Sequence, residues 1–303
     1  MKEINNRALY GILLMVFLFF ILLMIFAVYT MRAFVGSTSA EVDIAEHESS
    51  IAVVEIDGVL LKSKEIIEKL HIAESAKNIK AIIVRINSPG GAVGPVQEIY
   101  QEIRRIDKKR PVYASFSAIA ASGGYYVGAA TRKIFSNPGT LTGSIGVLMQ
   151  FIDLSRLYQW MKISPNTIKS GRYKDIGGPG RPMTSEEKGI MQNLLKGVHR
   201  QFINDIVKIR KDKIKKDIET LAQGQIFSGE EAFKHGLVDD LASLWEAGRK
   251  IHEELKIKGK FGLRFIKKRK DLSFWEILEN LDKSIFQLGL KVKTDPTPVP
   301  MYL

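Results

Sequence analysis

The sequence predicts an α/β fold built on a largely parallel sheet, and three observations support this prediction. Short apolar runs typical of buried strands alternate with amphipathic helical segments from Ile51 onwards. Turn signals such as Asp57-Gly58 separate these segments. Two glycine-rich stretches directly follow predicted strands, as is typical of the ligand-binding edge of a parallel sheet. Strands that alternate with helices in this way are joined by right-handed crossovers.

The first elements follow from the spacing of the apolar residues. In the second predicted helix, Val96, Ile99, Ile103 and Ile106 fall on one face. The predicted elements are a strand at Ile51–Ile56, a helix at Ser63–Ala76, a strand at Lys80–Ile86, a helix at Gly94–Lys108, a strand at Pro111–Ser117, and short strands in "KIFSNP" and "GSIGVL".

The second half of the chain opens with a loop rich in glycine and proline, "SGRYKDIGGPGRPM", at Ser170–Met183. A capping box, Thr184-x-x-Glu187, then predicts the start of a long helix that runs to about Lys211. A second capping box, Ser228-x-x-Glu231, starts a shorter helix. The segment from Lys256 to Leu303 is basic and then proline-rich, and it contains an amphipathic stretch at Ser273–Leu290.

The N-terminal segment predicts a membrane anchor. Ala8 to Tyr29 contains no charged residue, and a helix of that length spans about 33 Å, enough for a bilayer core. Lys2 and Arg7 precede it, which favours a cytoplasmic N-terminus and an extracytoplasmic remainder. A cleaved signal peptide is the alternative, because the small residues of "STSA" could form a cleavage site.

Composition limits the classes of function. The 303 residues include no cysteine, which excludes disulfides, thiol catalysis and thiolate metal sites. The net charge is +12, but no nucleic-acid-binding module is present, so nucleic acid is not an expected partner. An anionic membrane surface fits the positive charge better.

The stretch "IAASGGYYVGAA" presents Ser122 as a candidate nucleophile. Paired glycines are costly inside a helix or strand, and they are useful where the backbone turns sharply or is approached closely. A serine on a strand-to-helix turn can point its hydroxyl off the sheet, beside the unpaired backbone N–H of Gly123. A structural N-cap is the alternative role for Ser122.

A second glycine motif, "NSPGG", favours the catalytic interpretation. Gly90 and Gly91 follow a predicted strand and can leave backbone N–H groups directed at a ligand. Two such loops at one sheet edge could together form an oxyanion hole.

The base that would activate Ser122 is less evident. None of the five histidines lies between Ser122 and His199, and His199 falls within the long predicted helix, where a surface or packing role is expected. A lysine that burial makes less basic is the other known solution. Lys174 stands out because it lies in a loop rich in glycine and proline, although a loop lysine is ordinarily solvated.

The motifs "NSPGG", "AASGGYY", "TGSIGV" and "KSGRYKDIG", followed by "GLVD", occur here in one order. In this respect the chain resembles the signal peptide peptidase A family of membrane-anchored bacterial serine proteases, over roughly Ile51 to Leu244 and the N-terminal anchor. The resemblance implies a ClpP/crotonase-like fold.

The resemblance also implies roles for individual residues. Ser122 matches the nucleophile and Lys174 the general base. Ser144 matches a hydroxyl that orients the lysine, although a turn serine is an equal alternative. Gly91 or its neighbour Gly90 supplies one oxyanion N–H, and Gly123 supplies the other. No metal or organic cofactor is required.

The resemblance implies an assembly as well. Members form rings that stand on the membrane, and a chain with one module would form a ring of about eight subunits, in which serine and lysine meet across a subunit interface. The expected location is the bacterial cytoplasmic membrane.

These observations together predict an organisation and a function. The resemblance implies that the substrates are remnant signal peptides and other unfolded apolar peptides, cleaved after small or apolar residues. The proline-rich tail is a candidate internal ligand. The alternatives are a protease dedicated to one membrane-protein partner, a crotonase-type acyl-CoA enzyme and a non-catalytic scaffold. The predicted regions are a cytoplasmic N-terminus (1–7), an anchor (8–29), a linker (30–50), a protease domain (51–255) and a C-terminal extension (256–303).

Overall fold

An eight-stranded sheet forms the centre of the domain that begins after residue 50. The computed structural model describes residues 6–37 and 50–267. The strands are β1 (Ile51–Asp57), β2 (Ala81–Ser88), β3 (Val112–Ala121), β4 (Ile134–Ser136), β5 (Leu141–Gly143), β6 (Ile226–Ser228), β7 (Asp240–Leu241) and β8 (Leu263–Phe265).

The sheet is parallel except at one edge. The strand order is β6-β5-β3-β2-β1-β8, with β4 pairing β3 and β7, and only the β5–β6 pair among these is antiparallel. The first half of β3 pairs with β4, whereas its last residues pair with β5. The carboxyl ends of β2, β3 and β5 therefore converge, because each follows a parallel neighbour in register. The predicted parallel α/β architecture is confirmed.

The helices connect these strands and cover both faces of the sheet. The long helix begins with the predicted capping box, in which the Thr184 hydroxyl accepts from the Glu187 N–H at 3.2 Å. The helices are α1 (Asn6–Ser37), α2 (Lys64–Ser75), α3 (Val93–Asp107), α4 (Gly123–Ala129), α5 (Ser155–Trp160), α6 (Ser185–Arg210), α7 (Ile218–Leu221), α8 (Gly229–His235) and α9 (Leu244–Glu254).

The core forms on both sides of the sheet because strand side chains alternate. One set of residues, which includes Val54, Val84 and Phe116, packs in a cluster with apolar residues of α2, α3, α4 and α6. The alternate set, which includes Val53 and Ile83, packs in a second cluster with residues of α9. The central strands are therefore buried on both faces, so a ligand can reach them only at their ends.

Several boundaries differ from those that the sequence predicts. The helix α1 covers the predicted anchor and continues into the predicted linker, to Ser37. The "GSIGVL" strand lies earlier, at β5, because the chain leaves the sheet at Ser144. The extension predicted from residue 256 begins inside the sheet, since β8 pairs with β1. Ser273–Leu290 and the proline-rich tail lie outside the described residues.

The apolar N-terminal helix is exposed where its side chains are described. Between Tyr10 and Phe26, its large apolar side chains are 40–74% exposed. Among the residues that the structure describes, no helix was found that is both long enough and apolar enough to cross a membrane.

Candidate active site

Ser122 lies in a strained turn between β3 and α4. Its backbone has φ 52° and ψ −118°, a conformation that non-glycine residues seldom adopt and that is typically found at functional sites. The turn is fixed by two hydrogen bonds: the Ser122 N–H donates to Gly143 O at 2.9 Å, and Ser122 O accepts from Tyr126 N–H at 2.9 Å. The Ser122 hydroxyl makes no capping hydrogen bond to α4. This observation favours the nucleophile over the N-cap.

The "NSPGG" loop after β2 packs directly on this turn. Gly90 has φ 112°, and a Cβ at this position would lie 2.8 Å from Gly123 N and 3.0 Å from Ser122 Cβ. Only glycine allows both the backbone angle and the close approach. Ser88 is fully buried and holds the loop, since its Oγ accepts from Gly90 N–H at 3.1 Å.

The two glycines of the loop therefore differ in their hydrogen bonds. The N–H of Gly90 is already used by Ser88, and Gly90 O accepts from Leu60 N–H at 2.9 Å. Gly91 pairs with Leu60 through a bridge that uses the N–H of Ala92. Within the described part of the chain, no acceptor is recorded for the N–H of Gly91 or of Gly123.

These two N–H groups lie close to one another. A Cβ built on Gly123 would be 3.2 Å from Gly91 N and 3.2 Å from Gly90 Cα. Both glycines also line the same cavity as Ser122. The arrangement can hold an oxyanion beside the serine, because two preorganised N–H groups face one small volume. Gly91, rather than Gly90, is the residue that fits this role.

Ser144 follows β5 and reaches the same cavity. Its backbone is also in the left-handed region, with φ 49°, and its N–H donates to Gln225 O at 2.8 Å. The side chain is half-buried and lines the cavity with Ser122. The structure thus brings Ser122, Ser144, Gly91 and Gly123 together, as four residues from three different loops.

The cavity around Ser122 has a volume of about 980 Å³ and walls that are largely apolar. The Tyr126 ring lies 4.5 Å from that of Phe202, centre to centre, and its hydroxyl donates to Asp205. Burial raises the pKa of Tyr126 above its ordinary value, so this group remains a neutral wall. Further apolar lining comes from Val93, Val96, Leu148, Met149, Leu195 and Phe202.

Sequence reasoning did not place several polar residues of this cavity, namely Gln97, Gln192, Lys196, His199 and Gln223. His199 lies on α6, one turn before Phe202, and it lines the cavity. Its Nε2 is buried, and no hydrogen-bond partner for it is found among the described residues. The structure therefore places His199 at the cavity wall, and its surface or packing role stays a prediction. The i, i+3 spacing of His199 and Phe202 on one helix face was the available signal.

Lys174 lies apart from this constellation. It is exposed, it belongs to a turn in which its N–H donates to Gly171 O at 3.1 Å, and it is absent from the cavity lining. The segment that carries it, residues 146–183, is here called the arm. Within one chain, the structure does not bring Lys174 and Ser122 together.

The base of the arm is held by a charged network. Arg181 donates to Asp175 at 2.8 Å and to Glu187 at 2.6 Å, and Lys169 contacts Asp175 at 2.5 Å. Hydrogen bonds from Arg181 hold the pKa of Glu187 at about 2, and they lower that of Asp175 as well. Both carboxylates are consequently ionised at neutral pH and fix the loop next to Lys174.

The arm exposes several large apolar side chains. Ile168 is 95% exposed, Leu148 82% and Trp160 81%. Large exposed apolar side chains of this kind are candidates for an interaction surface. The α5 helix of the arm has no buried residue.

Comparison with known proteins identifies the family. The model of peptidase family S49 matches residues 104–258, about half of the chain, and the Clp protease model matches residues 50–140. The chain belongs to peptidase family S49. The S49 match contains Ser122, Ser144 and Lys174, and the Clp protease match contains both glycine loops, which agrees with a ClpP-like fold for the first half of the sheet.

Individual relatives agree with this assignment. A Synechocystis protein provisionally named a protease is 38% identical over 195 residues, which are 64% of this chain and 70% of that protein. An Enterococcus faecium protein provisionally named a signal peptide peptidase is 33% identical, over 62% of this chain and 55% of its own. A chloroplast serine protease of Arabidopsis thaliana is 34% identical, over 63% of this chain. The match spans only 28% of that longer protein.

Proposed function

We propose that this S49 serine protease is an endopeptidase with a Ser122–Lys174 dyad, which cleaves unfolded apolar peptides, including remnant signal peptides. The observation that carries the proposal is the strained Ser122 turn beside two unpaired N–H groups in an apolar cavity. An extended peptide can place its carbonyl oxygen between these N–H groups and its side chain on the apolar walls.

The reaction divides into two steps. The Ser122 Oγ attacks the peptide carbonyl carbon while neutral Lys174 takes the hydroxyl proton. The N–H groups of Gly91 and Gly123 stabilise the oxyanion, and such donors are worth roughly 3–4 kcal/mol each. When the C–N bond breaks, Lys174 returns the proton to the leaving amine. Water then hydrolyses the acyl-enzyme, with Lys174 as base again.

The position of Lys174 supports a dyad shared between subunits. Lys174 is exposed on the arm, outside the cavity of its own chain, and the arm exposes several large apolar side chains. A neighbouring copy that covers this surface would desolvate the lysine and lower its basicity, as a general base at neutral pH requires. The proposed assembly is a closed ring of about eight subunits with head-to-tail interfaces.

We further propose that α1 anchors this ring in the bacterial cytoplasmic membrane, with the protease domain outside. The support is the absence of charge from Ala8 to Tyr29 and the exposed apolar side chains of α1. Such an anchor would keep the protease close to signal peptides left in the bilayer. The test is carbonate extraction of membranes, combined with protease accessibility from the outside.

The test of the dyad is hydrolysis of casein or a fluorogenic peptide by Ser122→Ala, by Lys174→Ala and by the two variants co-expressed. Each single variant should lose activity while the oligomer persists. Co-assembly should restore about a quarter of the activity, because each subunit meets only the next one in a heterologous ring. An inactive mixture would indicate a dyad within one chain. Full activity of Lys174→Ala would show that another group is the base.

A further inference from the structure

The loops at the amino ends of the strands are unusually basic. Together, six segments carry fourteen lysines and arginines and only six aspartates and glutamates. The surface that they form is here called the amino edge. Its segments are 76–80, 107–111, 130–133, 211–217, 235–239 and 253–262.

Backbone contacts place these segments side by side, although they are far apart in sequence. Lys80 N–H donates to Ser50 O at 2.6 Å, and Ile82 N–H donates to Pro111 O at 2.9 Å. Arg132 N–H donates to Val112 O at 3.0 Å, and Lys213 Nζ reaches Arg132 O at 2.6 Å. Lys215 N–H donates to His235 O at 3.0 Å. The last segment, 253–262, leads into β8, whose first residue pairs with the first residue of β1.

Most of the lysines on the amino edge are exposed and not neutralised. Arg132 and Lys213 pair with Asp107 and Asp239. In the part of the chain that the structure describes, ten exposed lysines of the edge have no recorded ion pair. The exposed carboxylates on the same segments are Asp212, Asp217, Glu253 and Glu254. The ten lysines are Lys77, Lys80, Lys108, Lys109, Lys211, Lys215, Lys216, Lys256, Lys258 and Lys260.

The opposite edge of the sheet is different. There the loops that follow β2, β3 and β5 carry glycine, serine and apolar residues around the Ser122 cavity, and residues 88–92, 121–123 and 143–147 contain no charged side chain. The loops that carry the catalytic serine and the two glycines are thus uncharged, although Lys196 of α6 also lines the cavity.

We propose that the amino edge docks on the anionic headgroups of a phospholipid bilayer, so that the Ser122 cavity opens away from the membrane surface. The proposal rests on the anchor function assigned above to α1. Ser50, where the chain enters the domain after α1, lies on this same edge beside Lys80. Only residues 38–49 separate α1 from Ser50, a stretch that spans at most about 43 Å.

The chemistry of the edge fits a lipid surface better than a single small ligand. The ten unpaired lysines are spread over four segments and do not converge on one pocket, which suits a broad negative potential. Attraction of this kind acts within about 8 Å at physiological ionic strength, so it requires an edge that faces the bilayer directly. The expected partner is a bilayer that contains phosphatidylglycerol or a similar anionic lipid.

The experiment measures the distance from the edge to the bilayer in the full-length chain. Because the chain has no cysteine, a single introduced cysteine gives a unique fluorescent label. Lys216→Cys labels the amino edge, and Asn193→Cys labels α6 next to the cavity. Each labelled chain is placed in phosphatidylcholine nanodiscs with an acceptor dye on the headgroups, with or without phosphatidylglycerol.

Energy transfer from the Lys216→Cys label should increase when phosphatidylglycerol is present. It should return to the phosphatidylcholine value at about 1 M salt, where the Debye length is about 3 Å. The Asn193→Cys label should show no such increase. A variant with four edge lysines changed to glutamine should lose the increase, and a matched variant with four lysines elsewhere should keep it. The edge set is Lys77, Lys80, Lys258 and Lys260, and the matched set is Lys62, Lys64, Lys162 and Lys188.

Three outcomes would overturn the proposal: equal responses of the two labels, an edge variant that responds like the matched variant, or no effect of phosphatidylglycerol. Binding of a single-stranded RNA that the edge variant alone loses, without any lipid effect, would instead identify a nucleic-acid surface. Casein hydrolysis by the same preparations reports the proposed protease function separately. Retention in neutral nanodiscs reports the anchor separately.

Discussion

The Ser122 turn and the arm are two parts of one proposed active site, and they are built in opposite ways. The turn is enclosed by β2, β3 and β5, and hydrogen bonds fix it on both sides. The arm has its charged network at the base and exposes Leu148, Trp160 and Ile168 to solvent. One half of the site is therefore preorganised within the chain, whereas the other half requires a second surface to become buried.

This difference explains how an S49 chain could limit its activity to the assembled state. An oxyanion hole is effective only when its N–H groups are held in place. The glycine loops that follow β2 and β3 pack against each other at the sheet edge and hold these groups. A lysine base has to be desolvated, and a single chain with an exposed arm does not provide this. Variants of the two parts should consequently fail in different ways.

The largest effect is expected from Trp160→Asp on the arm. A charge at this exposed apolar position should prevent subunit association and so remove the base, which lowers kcat/KM by about 10²- to 10⁴-fold. Analytical ultracentrifugation should show smaller species, while the melting temperature of the domain changes little. Trp245→Asp, on α9, is the matched control and should preserve the assembly. Activity in a dissociated Trp160→Asp protein would contradict the shared dyad.

Gly91→Ala tests the rigid half and should reduce kcat by about 10²-fold, the usual cost of a displacement near 1 Å. A Cβ at this position would lie 2.2 Å from Leu60 O, so the loop has to move and carry its N–H away from Ser122. The oligomer should remain intact. Gly94→Ala is the control, because a Cβ at Gly94 meets nothing within 4 Å. Equal kinetics for both variants would exclude Gly91 as an oxyanion donor.

Arg181→Gln should have a smaller effect, which concerns the resistance of the arm to proteolysis. This resistance should no longer depend on acid pH. Arg181 lowers the folded-state pKa of Glu187 to about 2, below its unfolded value. The resulting stabilisation is present above the unfolded pKa and is lost as pH falls from about 4.5 towards 2. Limited proteolysis of the arm should accelerate over this range in the wild type. In Arg181→Gln the arm should be cleaved faster at neutral pH, with little further change in acid.

His199→Phe should have the smallest effect on kcat/KM, and it should change only the preference among peptide substrates. His199 Nε2 is buried at the cavity, and a peptide group could supply its missing partner. Loss of one such hydrogen bond changes kcat/KM by about two- to ten-fold. The change should appear for peptides with a polar side chain near the cleaved bond and be absent for wholly apolar ones. Uniform loss across a peptide library would indicate a packing role.

Much of the fold could be predicted because its signals are local. The apolar periodicity placed β1, β2 and α3 within a few residues, and two capping boxes marked where α6 and α8 begin. The short strands were less certain: β5 lies before "GSIGVL", because its pairing with β3 and β6 depends on distant residues. No local pattern marks β8, whose three residues are a strand only through their pairing with β1.

The candidate site, like the fold, has some features that local sequence predicts and others that depend on tertiary contacts. The sequence by itself determined the two glycine loops, the serine between them, the loop lysine and membership of the family, because these depend on residue type at short spacing. Only the tertiary structure decided that the N–H of Gly90 is occupied by Ser88, that His199 lines the cavity, and that Lys174 lies away from Ser122 in its own chain. It also gathered lysines from five separate segments onto one edge. Each of these depends on contacts between residues that are distant in sequence, and such contacts exist only once the sheet has formed.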